Sequence, residues 1–169
     1  MRKVAILTLC TLFAAAAAVA EETKKPLSPA SKAETTLNGK KVTIEYSAPS
    51  KRDRVIFGEL VPYGKVWRTG ANAASTLTTE TMLMIGSVHV APGKYTLFTI
   101  PGEKEWTLIV NKQTGQWGTN YDEKQDVGRT KMSVSASDTP VETFTIAFDK
   151  ASLVLSWDKT RATAPVMAH

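Results

Sequence analysis

The sequence predicts an all-β protein, an antiparallel β-sandwich or jelly roll of about eight or nine short strands with two long loops. Three observations support this class. Apolar and polar residues alternate with a period of two in many segments, turn-forming Gly, Pro and Asn residues separate these segments, and no convincing amphipathic helix is visible. Many short strands separated by turns are typical of sandwiches and jelly rolls rather than of βαβ folds.

Residues 35–46 predict a β-hairpin near the start of the domain. The Asn-Gly dipeptide at positions 38–39 favours a type I′ turn, whose twist suits two antiparallel strands. After the turn, Val42, Ile44 and Tyr46 fall on one face of an extended chain, and polar residues fall on the other. This face is therefore expected to contribute to the core.

The same alternation recurs along the rest of the chain and is interrupted by two long loops. Strands are predicted around residues 88–90, 95–100, 106–110, 144–148 and 153–157, with weaker candidates at 76–85 and 129–136. The first loop, predicted over residues 47–75, and the second loop, predicted over 111–128, are rich in Gly, Asn, aromatic and charged residues. Loops of this length in a compact domain are usually functional or disordered, and their aromatic residues argue against disorder.

Residues 1–20 have the layout of a secretory signal peptide. Two basic residues precede an apolar run over residues 4–19, and small side chains occupy Ala18 and Ala20. The run is shorter than the roughly 20 residues that cross a bilayer, which argues against an uncleaved anchor. We expect cleavage after Ala20 and export to the periplasm or the medium, with no membrane association afterwards.

Cleavage would also change the chemistry available to the chain. It removes Cys10, the only cysteine, so disulfides and thiolate chemistry are excluded from the mature protein. The full chain has 21 basic and 16 acidic residues and a net charge of +5, which falls to about +3 without Arg2 and Lys3. The remaining positive charge forms no basic stripe, so we expect no nucleic-acid partner.

The mature chain is expected to fold as one domain. Residues 21–32 carry two prolines and little to bury, which predicts a flexible tether. The domain is predicted over residues 33–165, and residues 166–169 are predicted to form a short tail. About 130 residues are enough to bury a core without disulfides.

Several kinds of catalytic site lack the residues they need. The only histidines are His89 and His169, and no pair of ligands has the spacing of a zinc site. The nucleophile elbow of a serine hydrolase and the phosphate-binding loops of nucleotide enzymes are missing as well. His89 lies between two valines of a predicted strand and is expected to point to solvent. No metal and no cofactor is therefore predicted.

The two loops do carry residues that suit a binding site. Arginine offers a planar fork of donors, asparagine offers a donor and an acceptor, and tryptophan and tyrosine offer flat faces for stacking. Such a set suits a carbohydrate, a peptide or another small polar ligand. The candidate ligand-binding residues are Arg68, Asn72, Trp117, Tyr121, Asp126 and Arg129.

Three other interpretations of these residues stay open. They can be architectural, with Arg68 paired to Asp126, Trp67 closing the end of the sandwich and Asn72 bonding loop backbone. The protein can be a hydrolase that uses Asp126 or Glu105 in general acid or base catalysis, which requires two carboxylates facing one cleft. It can also be a structural or interaction protein of the cell envelope.

Four segments together resemble a known family. They are residues 66–72 (VWRTGAN), 91–102 (APGKYTLFTIPG), 105–112 (EWTLIVNK) and 116–129, which contains Gln-Trp-Gly at its start. In this order and spacing the chain resembles the bacterial family called domain of unknown function 2911. The resemblance implies an exported bacterial β domain and implies no activity.

Overall fold

The computed structural model describes residues 27–169 and contains nine strands and one short 3₁₀ helix. The predicted signal peptide and the first part of the predicted tether lie outside the described residues. In chain order the elements are β1 (Ala30–Leu37), β2 (Lys40–Ser47), β3 (Ser75–Thr79), β4 (Leu83–Ile85), β5 (Val88–Val90), β6 (Gly93–Ile100), β7 (Glu105–Asn111), the 3₁₀ helix (Glu123–Gln125), β8 (Asp126–Asp149) and β9 (Ser152–Ala168).

All nine strands belong to one antiparallel sheet, in the order β1-β2-β3-β6-β7-β8-β9-β4-β5. The predicted all-β class is confirmed, but the sandwich detail is not, because the strands form one hydrogen-bonded sheet. Strands β3 and β4 are consecutive in the chain yet lie far apart in this order, so the candidate strand at residues 76–85 is two strands. The sheet curls far enough for β5 to contact β8, where Gly128 approaches Val88.

The first hairpin has the turn and the buried face that its sequence predicts. Asn38 and Gly39 adopt left-handed backbone conformations with φ of 50° and 73°, as a type I′ turn requires. Leu37 pairs with Lys40 across the turn. The side chains of Val42, Ile44 and Tyr46 are buried in the main core.

The sheet extends beyond both predicted ends of the domain. Strand β1 begins at Ala30, inside the predicted tether, because Ala30 pairs with Ser47 of β2. Strand β9 continues to Ala168, inside the predicted tail, where Ala168 pairs with Leu83 of β4. These partners are distant in sequence, so the composition of the two short ends did not indicate the pairing.

The first loop (residues 48–74) closes the main core with aromatic side chains. Phe57 and Trp67 come from the loop and pack against Trp106, Phe144 and Trp157 of the sheet. The Trp67 and Trp157 rings are stacked, with centroids 6.0 Å apart, and the other contacts are edge-on. Aromatic pairs of this kind contribute about 0.5–1.5 kcal/mol beyond their burial, so the loop is held by the core.

The second loop (residues 112–125) covers the outer face of the sheet. Strand β6 buries Leu97 in the main core and Phe98 in a second, smaller core on the opposite face. Phe98, Ile109 and Ala74 form this second core, and Tyr121 of the second loop packs against it. Both long loops therefore have apolar residues that fix them to the sheet.

No helix among residues 27–169 is long and apolar enough to cross a membrane.

A substitution at Gly86 tests the contact between the β4–β5 turn and strand β8. Gly86 has a φ of +56°, and a Cβ there would lie 2.9 Å from Thr130 Cβ and Cγ2 and closer still to Oγ1. Gly86→Ala is expected to lower the free energy of unfolding by about 3 kcal/mol, because left-handed strain adds to overpacking.

The matched control is Gly115→Ala, since Gly115 has a φ of +78° and a Cβ there would have no neighbour within 4 Å. Its expected cost is about 1 kcal/mol. Equal losses in denaturant unfolding would contradict this account.

Candidate functional site

The two long loops lie side by side. Ala73 of the first loop forms an isolated antiparallel bridge with Trp117 of the second. The Gly118 backbone N–H donates to the Asn72 carbonyl at 3.1 Å, and the Ala74 N–H donates to the Gln116 carbonyl at 3.5 Å. The two segments in which a site was predicted therefore form one surface.

Arg68 lies at the junction of the two loops. Its Nη1 donates to the Asn72 carbonyl at 3.3 Å. Its aliphatic stem crosses Gly118, where an added Cβ would lie 2.8 Å from Arg68 Cβ and 2.7 Å from the Asn72 oxygen. Gly118 is therefore the residue that leaves room for the arginine. The backbone one residue earlier is also fixed, since the Trp67 and Thr99 main chains exchange hydrogen bonds of 2.7 and 2.9 Å.

Asn72 and Trp117 both join the two loops through their backbone atoms. Asn72 has a φ of +59°, a conformation that asparagine tolerates better than most residues, and its carbonyl accepts from both Arg68 and Gly118. Trp117 bridges to Ala73 through its backbone, and its side chain is 54% exposed. An exposed indole can stack on a ligand, but Trp117 is not among the residues that line the concave surface described below.

The Asp126 carboxylate, at the start of β8, is the centre of a hydrogen-bond network that joins the second loop to β7 and β8. Its Oδ2 accepts from the Tyr121 hydroxyl at 2.7 Å and from Arg129 Nε at 2.9 Å, and its Oδ1 accepts from Asn111 Nδ2 at 2.8 Å. Arg129 Nη2 also donates to Glu123 Oε1 at 2.7 Å. The considered pairing of Arg68 with Asp126 is thus wrong, because Arg129, three residues away, takes the carboxylate.

Burial raises the pKa of the Tyr121 phenol to about 12, and the hydrogen bond to Asp126 adds to the effect. The neutral phenol can donate to a carboxylate that already accepts from Arg129, whereas the phenolate would face that carboxylate as a like charge. The Tyr121 ring packs edge-on against Phe98 with centroids 4.9 Å apart. Asp126, Arg129 and Tyr121 therefore hold the second loop on the sheet.

The carboxylates considered for hydrolysis do not face each other. Glu105 and Asp126 lie at opposite ends of the β7–β8 pairing. At one end Glu105 pairs with Ser133, and at the other end Asn111 pairs with Asp126. Six residues of strand separate them, or about 20 Å. Glu105 is also paired with Lys131 at 3.0 Å. Among residues 27–169, no cluster of three or more His, Cys, Asp or Glu could hold a metal ion.

Two adjoining clefts lie beside Arg68. The first has a volume of about 260 Å³ and the second of about 480 Å³. Leu60, Val61, Trp67 and Arg68 line both, so we treat the clefts together as the double cleft. Of the six residues predicted to bind ligand, Arg68 and Tyr121 line the double cleft, while Asn72, Trp117, Asp126 and Arg129 do not.

The double cleft also contains basic residues that sequence analysis did not select. Arg52 and Arg54 line the first cleft and Lys65 lines the second, and no Asp or Glu of the described part of the chain lines either. Arg52 Nη2 donates to the Leu27 carbonyl at 2.6 Å, and Arg54 donates to the Lys51 and Ser50 carbonyls at 2.9 and 2.6 Å. In the sequence, the two arginines differ from other scattered charges only by their presence in a long loop.

His89 has the exposure predicted for it. Its side chain is exposed between the buried Val88 and Val90, and its ring stacks on that of His169 with centroids 6.1 Å apart.

The fold and the double cleft define a curled β-sheet domain with a concave surface between two anchored loops. The chain belongs to the family described as "Protein of unknown function (DUF2911)", whose model matches residues 28–166. This confirms the family resemblance found in the sequence. No curated protein and no solved structure matches the chain.

The Tyr121 pKa can be tested by alkaline titration of tyrosine absorbance, with Tyr121→Phe identifying the signal. Asp126→Asn is expected to lower the pKa of Tyr121 from about 12, because it removes the carboxylate that disfavours the phenolate form. Asp149→Asn, which removes a carboxylate paired with Arg161, is the control and should leave the pKa unchanged.

Because the Tyr121 pKa differs between the folded and unfolded states, the free energy of unfolding depends on pH. The folded-state pKa of Tyr121 is raised above the unfolded value near 10, so the folded protein holds this proton more tightly. The contribution is fully present below about pH 10 and is lost as pH rises through about 12. A wild-type titration at about pH 10 for this residue would contradict the network.

Proposed function

We propose that the mature protein is an exported, non-catalytic module that binds a small polar ligand in the double cleft. The ligand classes that suit the lining are a carbohydrate, a peptide or another small molecule. The observation that carries the proposal is the position of Arg68, which is fixed by Asn72 and Gly118 and lines both clefts. Export, to the periplasm or the medium, rests on the signal-peptide pattern in the first twenty residues.

The shape and lining of the double cleft support binding. Ligand sites are usually concave and largely apolar, with a few placed polar groups. Here the apolar part includes Leu60, Val61 and Trp67, and the polar part includes Arg68 and Lys65. Trp67 is held by the aromatic cluster, so the wall it forms is rigid before a ligand arrives, which lowers the entropic cost of binding.

The contacts of the carboxylates favour binding over hydrolysis. A glycosidase-type site needs two carboxyl groups within about 5–10 Å of each other across the bond that is cleaved. Asp126 is already bonded to Tyr121, Arg129 and Asn111, and Glu105 lies at the far end of β7. Neither carboxylate lines the double cleft.

A structural role in the cell envelope is the second candidate. The Asp126 network supports it, since this network fixes the second loop through Tyr121, Arg129 and Asn111 without needing a ligand. The two candidates differ in what they expect from Arg68. A residue that only holds loops should matter for stability, and a residue that contacts ligand should matter for binding.

Arg68→Met in the mature protein separates these roles, because methionine keeps part of the aliphatic stem beside Gly118 and lacks the guanidinium. We expect binding to at least one member of a broad glycan and peptide array to fall about tenfold or more. The melting temperature should change by less than about 2 °C. The measurements are array binding and thermal unfolding.

Trp117→Ala is the matched control, since Trp117 belongs to the same surface but does not line the double cleft. Its binding should equal that of the wild type. Loss of binding in Trp117→Ala alone would move the site to the loop rim. A lower melting temperature for Arg68→Met with no change on the array would favour the structural role.

A further inference from the structure

We propose that the double cleft binds a small organic anion whose carboxylate or phosphate group is held by Arg52, Arg54 and Arg68. This inference rests on the proposed binding function and assigns the ligand its chemical class. Three arginine residues line the first cleft, Arg68 also lines the second, and Lys65 adds a fourth basic residue there.

The arginines of the cleft are bonded to neutral groups. Arg52 donates to one main-chain carbonyl, Arg54 to two and Arg68 to one. A carbonyl fixes the orientation of a guanidinium but does not neutralise its charge. The three guanidiniums are therefore held by hydrogen bonds that leave their positive charge uncompensated.

Arginines elsewhere in the described part of the chain behave differently. Arg129 pairs with Glu123 and Asp126, and Arg161 pairs with Asp149. For the three arginines of the cleft, no carboxylate of residues 27–169 lies within salt-bridge distance. Arg52, Arg54 and Arg68 line the same cleft although like charges repel each other. An anionic ligand would reduce that repulsion.

Acidic residues of the described chain near the cleft form no salt bridge with its arginines. Glu142 Oε1 accepts from the Arg52 backbone N–H at 3.0 Å, and Asp158 pairs with Lys51 at 2.8 Å. Asp53 and Glu59 belong to the same loop, but their side chains are exposed and do not line either cleft. Among residues 27–169, every charged residue that lines either cleft is basic.

The unused donors match an anion in number and geometry. Each guanidinium has five N–H donors in a planar fork, so most donors of Arg52, Arg54 and Arg68 stay free of partners among residues 27–169. Such forks bind carboxylate and phosphate oxygens in pairs, and charged hydrogen bonds of this kind are about twice as strong as neutral ones.

Apolar residues beside the arginines indicate that the anion is organic. Leu60 is 45% exposed and Val66 is 41% exposed, and both line the second cleft together with Trp67. A ligand with its anionic group in the first cleft would place its carbon skeleton or ring against this wall. The three arginines line a concave cleft of about 260 Å³, which suits a small molecule better than a flat lipid surface.

The test is titration calorimetry of the mature protein with matched pairs of ligands. Glucose is compared with glucose 6-phosphate and glucuronate, and N-acetyltyrosine amide with N-acetyltyrosine; inorganic phosphate and phosphatidylglycerol vesicles complete the set. At least one organic anion is expected to bind about tenfold or more tightly than its neutral match, and more tightly than inorganic phosphate.

Substitutions of single arginines test which side chains bind the anion. Arg54→Gln, which keeps a donor for the loop carbonyls, should weaken binding of that anion about tenfold, and so should Arg68→Met. Arg161→Gln removes the same charge from a salt bridge elsewhere and should change the affinity less than twofold. If Arg54→Gln does not fold, Arg68→Met alone decides the outcome.

Each other result overturns the inference in a distinguishable way. Equal binding of neutral and anionic partners that is still weakened by Arg68→Met would leave the proposed binding function standing and remove the anion. Binding to vesicles alone would indicate a membrane surface. Binding of inorganic phosphate alone would remove the organic skeleton. Equal losses in Arg54→Gln and Arg161→Gln, or no anionic binder in the set, would also overturn it.

Discussion

The packing of Trp67 into the aromatic cluster is the contact on which the candidate site depends. Its indole is packed among Trp106, Phe144 and Trp157, and its main chain is hydrogen-bonded to Thr99 of β6. Ordering a loop of this length costs much conformational entropy, and the contacts of Trp67 help to offset that cost. Because Trp67 is fixed, its neighbour Arg68 leaves the core at a defined place, and the walls of the double cleft are set by core packing.

The second loop is held by charged hydrogen bonds and not by packing into the aromatic cluster. As a result, two arginines of the protein have different roles. Asp126 accepts from Tyr121, Arg129 and Asn111, so this loop is fixed by a charged hydrogen-bond network on a small apolar patch. Arg129 is neutralised by carboxylates, whereas Arg68 is bonded only to a carbonyl. The same side chain can thus hold a loop at one position and remain available for a ligand at another.

Much of the fold was predictable because β-strand signals are local. Alternation located the buried face of β2, and the Asn-Gly turn located the first hairpin. The order of the strands was not predictable, since β3 and β4 are neighbours in the chain but pair with β6 and β9. Of the predicted site residues, Arg68 and Tyr121 line the double cleft, but Arg52 and Arg54 were missed because only folding brings them beside Arg68.

The sequence by itself determined the all-β class, the family, the first hairpin and the two loops that form the candidate surface. These depend on residue type, spacing and turn chemistry, which are properties of short segments. Only the tertiary structure decided which charges are neutralised. Asp126 could pair with Arg68 or Arg129 on chemistry alone. The structure pairs it with Arg129, three residues further along β8, at the place where the pairing with β7 shifts register between Val110 and Asn111. Electrostatic interactions depend on distance in space, so the basic cleft around Arg68 appears only in the folded chain.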